Sequence, residues 1–158
     1  MRIERISDEN RREVNCFLEE HWFTTTMALR GELVDMTAVP GFAVFDNGEM
    51  RGLVTYREFG KDAIEILSLD SSDENKGIGT TLLETMVGFA DSHDKKRIVL
   101  SVTNDNMRAL RFYQKRGFRI TAVHHDTIEK GRMLKPEIPL IGYNGIPIHT
   151  ELELERTL

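Results

Sequence analysis

The stretch 63–102 limits the possible folds more than any other part of the chain. An apolar run, a short charged link, a Gly-x-Gly turn, an amphipathic helix pattern and a second apolar run follow one another there. The first run places Ile64 and Ile66, then Leu67 and Leu69, so its period of two slips by one residue. A β-bulge produces that slip, and a strand buried on both faces fits it equally. After Gly77-Ile78-Gly79-Thr80, the residues Ile78, Leu82, Leu83, Met86, Val87 and Ala90 recur at helical spacing. Ile98, Val99, Leu100 and Val102 then read as a buried strand. A helix between two such strands implies a right-handed crossover and a parallel strand pair.

The flanking segments extend this into a larger sheet. Phe42-Ala43-Val44-Phe45, the turn Asp46-Asn47-Gly48, and Leu53, Val54 and Tyr56 predict a hairpin, because Asn-Gly supplies the two positive φ angles of a type I′ turn. With the run at 63–69 this makes a three-stranded meander. Ile3 and Ile6 mark a strand, with Ser7 and Asp8 as cap candidates for a helix carrying Val14, Phe17, Leu18 and either His21 or Trp22. Residues 24–40 read as loop and short irregular pieces. Asn104, Asp105 and Asn106 offer caps for a helix with Ala109, Leu110 and Tyr113 that ends near Gly117, and a strand returns at 118–123. Pro136, Pro139 and Pro147 make the stretch 135–149 irregular after a short helix, and Leu152, Leu154 and Leu158 alternate with Glu151, Glu153 and Glu155 as a half-exposed last strand. No repeat interrupts the chain, whose 158 residues fit one domain spanning 1–158.

Composition removes several function classes. A net charge of −5 argues against electrostatic capture of nucleic acid, and no series of stacking aromatics accompanies the basic residues Arg108, Arg111, Lys115, Arg116 and Arg119. The one cysteine, Cys16, allows neither an internal disulfide nor a CxxC pair. His124-His125-Asp126 is a poor metal set, since neighbours on a strand point to opposite faces. No apolar run is long enough to cross a bilayer, and the charged amino terminus lacks a signal-peptide core. The expectation is a cytoplasmic protein with no metal, no membrane contact and no nucleic-acid partner; pairing of an edge strand in a homodimer is left open.

The Gly77-Ile78-Gly79 turn, at a strand-to-helix junction, is either a tight packing corner or an anion site, where backbone N–H groups and the helix dipole favour phosphate. It is not a dinucleotide fingerprint, because Leu82 stands where the third glycine would be, and no P-loop occurs. Lys76-Gly77-Ile78-Gly79 at one helix start, and Asn106-x-x-Ala109-x-x-x-Tyr113-x-x-x-Gly117-Phe118 one strand later, together resemble the GNAT superfamily of acyl-CoA-dependent N-acetyltransferases. The resemblance covers 42–123. It implies an α/β domain with a mixed, largely antiparallel sheet of six to seven strands, helices on both faces, and a splayed parallel pair that admits the cofactor.

The resemblance also assigns roles. The family's pyrophosphate loop falls on Glu74-Asn75-Lys76-Gly77-Ile78-Gly79, so backbone amides of Lys76, Gly77, Ile78, Gly79 and Thr80 would cradle acetyl-CoA. Glu74 departs from the Arg or Gln usual there. Leu67, Ser68 and Leu69 would pair with the pantetheine arm, and Asn106 matches the family's cofactor-contacting asparagine. Tyr113 matches the tyrosine that protonates the departing thiolate, a transfer that a phenol near pKa 10 makes to a thiolate of about 8.5 by local donation. Glu65 is the carboxylate expected as general base for a primary amine, small-molecule or protein-borne, and an amide near Leu67 the expected oxyanion donor. Cys16 lies far from these motifs, so the expected route is direct attack in a ternary complex. The rival expectation is a module on the same fold that binds acyl-CoA without turning it over.

Overall fold

The computed structural model describes residues 1–74 and 76–158. Two compact units emerge, one comprising Met1–Thr26, Asp35–Ile98 and Leu158, the other Met27–Val34 and Val99–Thr157.

In the first unit the strands β1 (Arg2–Arg5), β4 (Gly41–Asp46), β5 (Glu49–Phe59) and β6 (Ala63–Ser71) lie in the order β1-β4-β5-β6. All three neighbouring pairs are antiparallel. The β4–β5 turn is the Asn-Gly hairpin expected, with φ of 51° at Asn47 and 78° at Gly48. Helix α1 (Arg11–Trp22) starts at Asn10, not at Ser7 or Asp8. The Asn10 side chain instead accepts a hydrogen bond from the Ser7 amide at 2.8 Å, which places the cap candidates in the preceding turn. Helix α2 (Ile78–Ser92) buries Ile78, Leu82, Leu83, Met86 and Ala90, as its spacing predicts.

The two helices take opposite faces of this sheet. A Cβ at Gly52 would stand 2.6 Å from Ile78 Cγ2 of α2, and the Tyr56 ring lies 5.0 Å from Phe89 of α2. Gly52 pairs with Ser71 and Tyr56 with Ile66, so these residues share the α2 face. The alternate pairs Leu53↔Asp70, Thr55↔Ser68 and Arg57↔Glu65 therefore point the other way, toward the side on which Trp22 of α1 reaches Asp70.

The second unit orders its strands β7 (Arg97–Thr103), β9 (Glu151–Thr157) and β8 (Arg119–His124) as β7-β9-β8, with helices α3 (Met107–Gln114) and α4 (Thr127–Leu134). Residues 24–40, read above as loop, contain a small hairpin, β2 (Thr26–Leu29) with β3 (Glu32–Asp35). Its turn uses Arg30 at φ 53° and Gly31 at 75°, the I′ geometry without an Asn-Gly signature, and strands of four residues are too short to show a period. In β9 the simple alternation fails: Leu154 is buried, but so is Glu151, whose carboxylate accepts the Arg30 amide at 3.4 Å, and Leu158 lies outside the strand and is exposed. The antiparallel pairs and four helices make the mixed, largely antiparallel α/β fold expected.

Candidate active site

The strand β6 carries the first part of the site. Thr55 pairs with Ser68 but Tyr56 pairs with Ile66, so Leu67 is an extra residue opposite β5 and the suspected bulge is real. The slip in the apolar period and the ladder agree on the bulge, and because Ala63 to Ser68 are all buried the strand is also buried on both faces over that stretch. Leu67 and Ser68 are buried and Leu69 is half-buried. The Ser68 and Thr55 hydroxyls lie 2.7 Å apart and satisfy each other, leaving the main chain as the polar surface of this segment.

Helix α2 carries the second part. Its N-cap is Gly77 at φ 78°, no side chain caps it, and its first turn holds no acidic residue. A Cβ at Gly77 would meet nothing within 4 Å, so the approach to this helix start is open. The first turn of any helix presents amides that lack intrahelical partners, and among the described residues no side-chain oxygen caps this one. Gly77 and Lys76 are exposed, Gly79 and Thr80 half-buried, and Ile78 is turned into the core; Asn75 lies outside the described residues. Two cations pair with a carboxylate of the loop: Asp73 stands 3.5 Å from Lys76 Nζ and 3.8 Å from an Arg51 nitrogen, and the Arg51 carbonyl accepts the Ser72 amide. Arg51 was not legible as a loop residue, because only the β5–β6 register brings it there.

Glu65 is paired with the half-buried Arg57. Glu65 is fully buried, and its Oε2 accepts from Arg57 Nε at 2.7 Å. The carboxylate expected as a base thus already engages a guanidinium. Three residues beyond the bulge, Asp70 Oδ2 accepts from Trp22 Nε1 at 3.0 Å. Burial pushes the Asp70 carboxyl up from its ordinary value, opposed by that hydrogen bond and by the field of His21. The sequence reading had missed Asp70, although its spacing from Ser68 puts both on one strand face.

In the second unit, Asn106 is the N-cap of α3, its side-chain oxygen accepting the Ala109 amide at 3.1 Å. Tyr113 lies one helical face along and is buried, with its ring edge-on to Phe112 and Phe118 at 5.1 and 5.3 Å between centroids. Packing and the motif thus use the same side chain. The tract 135–149 is fastened to the start of this region. Asn104 Oδ1 accepts the amides of His149 and Thr150, Asp105 Oδ2 accepts that of Tyr143 at 3.0 Å, and a Cβ at Gly142 would fall 1.9 Å from the same oxygen. Among the described residues no group of His, Cys, Asp and Glu is arranged to hold a metal ion, and no helix is long and apolar enough to cross a membrane.

Comparison with known proteins gives a consistent picture. The profile of the acetyltransferase (GNAT) family matches residues 5–118. The uncharacterized protein YdhI of Bacillus subtilis (strain 168) is 45% identical over 143 residues, 90% of this chain and 89% of that protein. Among solved structures, an IAA acetyltransferase from Bacillus cereus superposes with a TM-score of 0.71 at 22% identity, covering 99% of both chains. A GNAT family acetyltransferase from Elizabethkingia anophelis, with acetyl-CoA bound, does so with a TM-score of 0.70 at 21% identity, covering 99% of this chain and 97% of the other.

Proposed function

The chain belongs to the acetyltransferase (GNAT) family, and from that membership we propose that it transfers an acetyl group from acetyl-CoA to a primary amine by direct attack, without a covalent enzyme intermediate. The observation that carries this reading is the uncapped start of α2, with Gly77 in a left-handed conformation, following a strand bulged at Leu67. That arrangement fits coenzyme A. Amides of Lys76, Gly77, Ile78, Gly79 and Thr80 would hold its pyrophosphate, and the main chain of Leu67, Ser68 and Leu69 its pantetheine arm, with Asn106 as a further contact. Glu74 is exposed on the loop, where its charge would weaken cofactor affinity without touching the backbone contacts.

When bound, acetyl-CoA supplies a thioester carbonyl activated toward amines. The chain's own residues meet the other demands. An amine of pKa about 10.4 must lose a proton, at about 4–5 kcal/mol at pH 7, and Glu65 on the α1 face of β6 is the proposed acceptor, directly or through water. Its guanidinium partner Arg57 fixes the orientation of the carboxylate. The amide at the bulge, released from regular pairing near Leu67, is the proposed oxyanion donor. Tyr113 is the proposed acid for the leaving sulfur, held in place by Phe112 and Phe118.

Thermal unfolding tests the cofactor. Acetyl-CoA at about 100 times its dissociation constant adds about 2.7 kcal/mol and raises the midpoint by about 5–10 °C at this chain length. Gly79→Asp, which sets a carboxylate in the first turn of α2, is expected to abolish the rise; an unaltered rise in that variant places the phosphates elsewhere. Tyr113→Phe is expected to keep the rise and cut turnover by about 10²-fold. Full turnover in that variant removes Tyr113 as the acid.

A further inference from the structure

We propose that Arg51 is a positioning residue for the cofactor: its guanidinium holds Asp73, so that the side chain of Lys76 is free to leave that carboxylate for an incoming pyrophosphate. The inference deepens the acetyl-CoA reading of the α2 start and rests on it.

The charge of the loop poses the difficulty. Between Ser72 and Gly77 the sequence sets Asp73 and Glu74 against Lys76, so the approach to α2 carries more negative charge than positive. A pyrophosphate brings further negative charge to the same place, and like charges repel wherever water screens them incompletely. Glu74 is exposed, whereas Asp73 is half-buried, and its carboxylate is divided between two cations. Oδ1 stands 3.5 Å from Lys76 Nζ, and Oδ2 stands 3.8 Å from Arg51 Nη1. A tight charge-assisted hydrogen bond is closer, at about 2.7–2.9 Å, so neither cation is locked to Asp73 and an exchange between them costs little.

The two cations are held differently. Lys76 is 68% exposed, its ammonium sits on a flexible stem, and its own amide is the first of the proposed cradle. Arg51 is 32% exposed and rooted in β5, with its fork spread across two carboxylates: Nη2 holds Glu49 Oε2 at 2.6 Å while Nη1 faces Asp73. A lysine that turns to phosphate leaves Asp73 uncovered unless another cation stays behind, and Arg51 is placed to stay. Its place beside the loop is set by the main chain. The Arg51 carbonyl accepts the Ser72 amide at 2.9 Å and the Ser72 hydroxyl at 3.2 Å, and the next residue, Gly52, pairs with Ser71 in the ladder. Replacing the Arg51 side chain therefore removes the guanidinium and keeps the fastening of the loop to β5.

The experiment measures acetyl-CoA dissociation constants by calorimetry for the wild type, Arg51→Gln, Arg51→Lys, Asp73→Asn and the double variant Arg51→Gln with Asp73→Asn. Thermal midpoints of the unliganded proteins are taken alongside. Arg51→Gln is expected to weaken binding about tenfold, Arg51→Lys by no more than about threefold because it keeps the charge, and Asp73→Asn not at all. The double variant is expected to bind within about threefold of the wild type, since it has no carboxylate at 73 left to cover. Unliganded midpoints are expected within about 4 °C of the wild type, as for other partly exposed ion pairs. Wild-type affinity in Arg51→Gln overturns the proposal. So does a loss that Arg51→Lys and Asp73→Asn fail to repair, which makes Arg51 a direct contact of the cofactor, or a larger drop in the unliganded midpoint, which assigns its side chain to holding the fold. A wild type that binds no acetyl-CoA brings down the cofactor reading and this inference with it, whereas a wild type that binds beside an equally competent Arg51→Gln removes the inference alone.

Discussion

At Asp70 the sequence and the environment disagree: a carboxylate stands where burial penalises charge. A carboxyl whose folded value lies above its unfolded one stabilises the fold fully only below the ordinary carboxylate range, and that contribution is lost as pH rises through the raised value. Asp70→Asn is therefore expected to be more stable than the wild type at pH 7, with the difference shrinking as pH falls through the raised value and gone below about pH 4, as thermal midpoints across pH would show. Glu65, by contrast, is ion-paired with Arg57. Arg57→Met leaves a fully buried carboxylate without that partner and is expected to cost about 3 kcal/mol in denaturant unfolding. Tyr113 and Asn106 were legible as individual residues because a motif and a helical face coincide on them. Asp70 and Arg57 were not, because each acquires its meaning from a partner on another element, Trp22 on α1 or Glu65 across the hairpin.

Elements were most legible where the period of the chain is long and unambiguous. Helix α2, the Asn47-Gly48 hairpin and the slip at Leu67 all follow from side-chain order, since a one-residue displacement in a strand moves every later side chain to the other face. The hairpin of β2 and β3 was illegible because Arg30-Gly31 reaches the same turn geometry through a residue seldom chosen for it. Packing between elements sets sharper limits than either. Gly52 sits where α2 crosses β5, and Gly52→Ala would bring its methyl to 2.6 Å from Ile78 Cγ2 and 3.1 Å from the Asp70 carbonyl. The expected loss is about 1–3 kcal/mol, read as a lower urea midpoint with unchanged slope. Gly77→Ala meets no atom but must hold φ near 78°, so a smaller loss of about 1 kcal/mol is expected, together with weaker retention of acetyl-CoA in calorimetry.

For the molecule as a whole, the acid limb of stability is where local charges become visible together. In the second unit, burial lifts the Glu153 carboxyl, but hydrogen bonds from Arg30 and His124 outweigh it and hold the group below its usual value. Its contribution is present above the ordinary carboxylate range and is lost as pH falls through the depressed value. Glu153→Gln is accordingly expected to lower the thermal midpoint at pH 7 and to flatten its decline between about pH 5 and 3. The composition set the broad class and net charge, but no pattern announced how residues 135–149 would be tied down, since the tract makes few regular pairs of its own. Its fastening is supplied from elsewhere, by Asn104 and Asp105 and by Arg132, which donates to the carbonyls of Pro139 and Ile148. Gly142 is fixed by the closeness of Asp105, whereas Leu140, Ile141 and Tyr143 are exposed. A strap buckled in this way separates inheritance into two rates: its anchor points are bound to the frame and must persist with it, while the outward residues between them are at liberty to drift, so that descendants of one scaffold can wear different surfaces there without learning to fold anew.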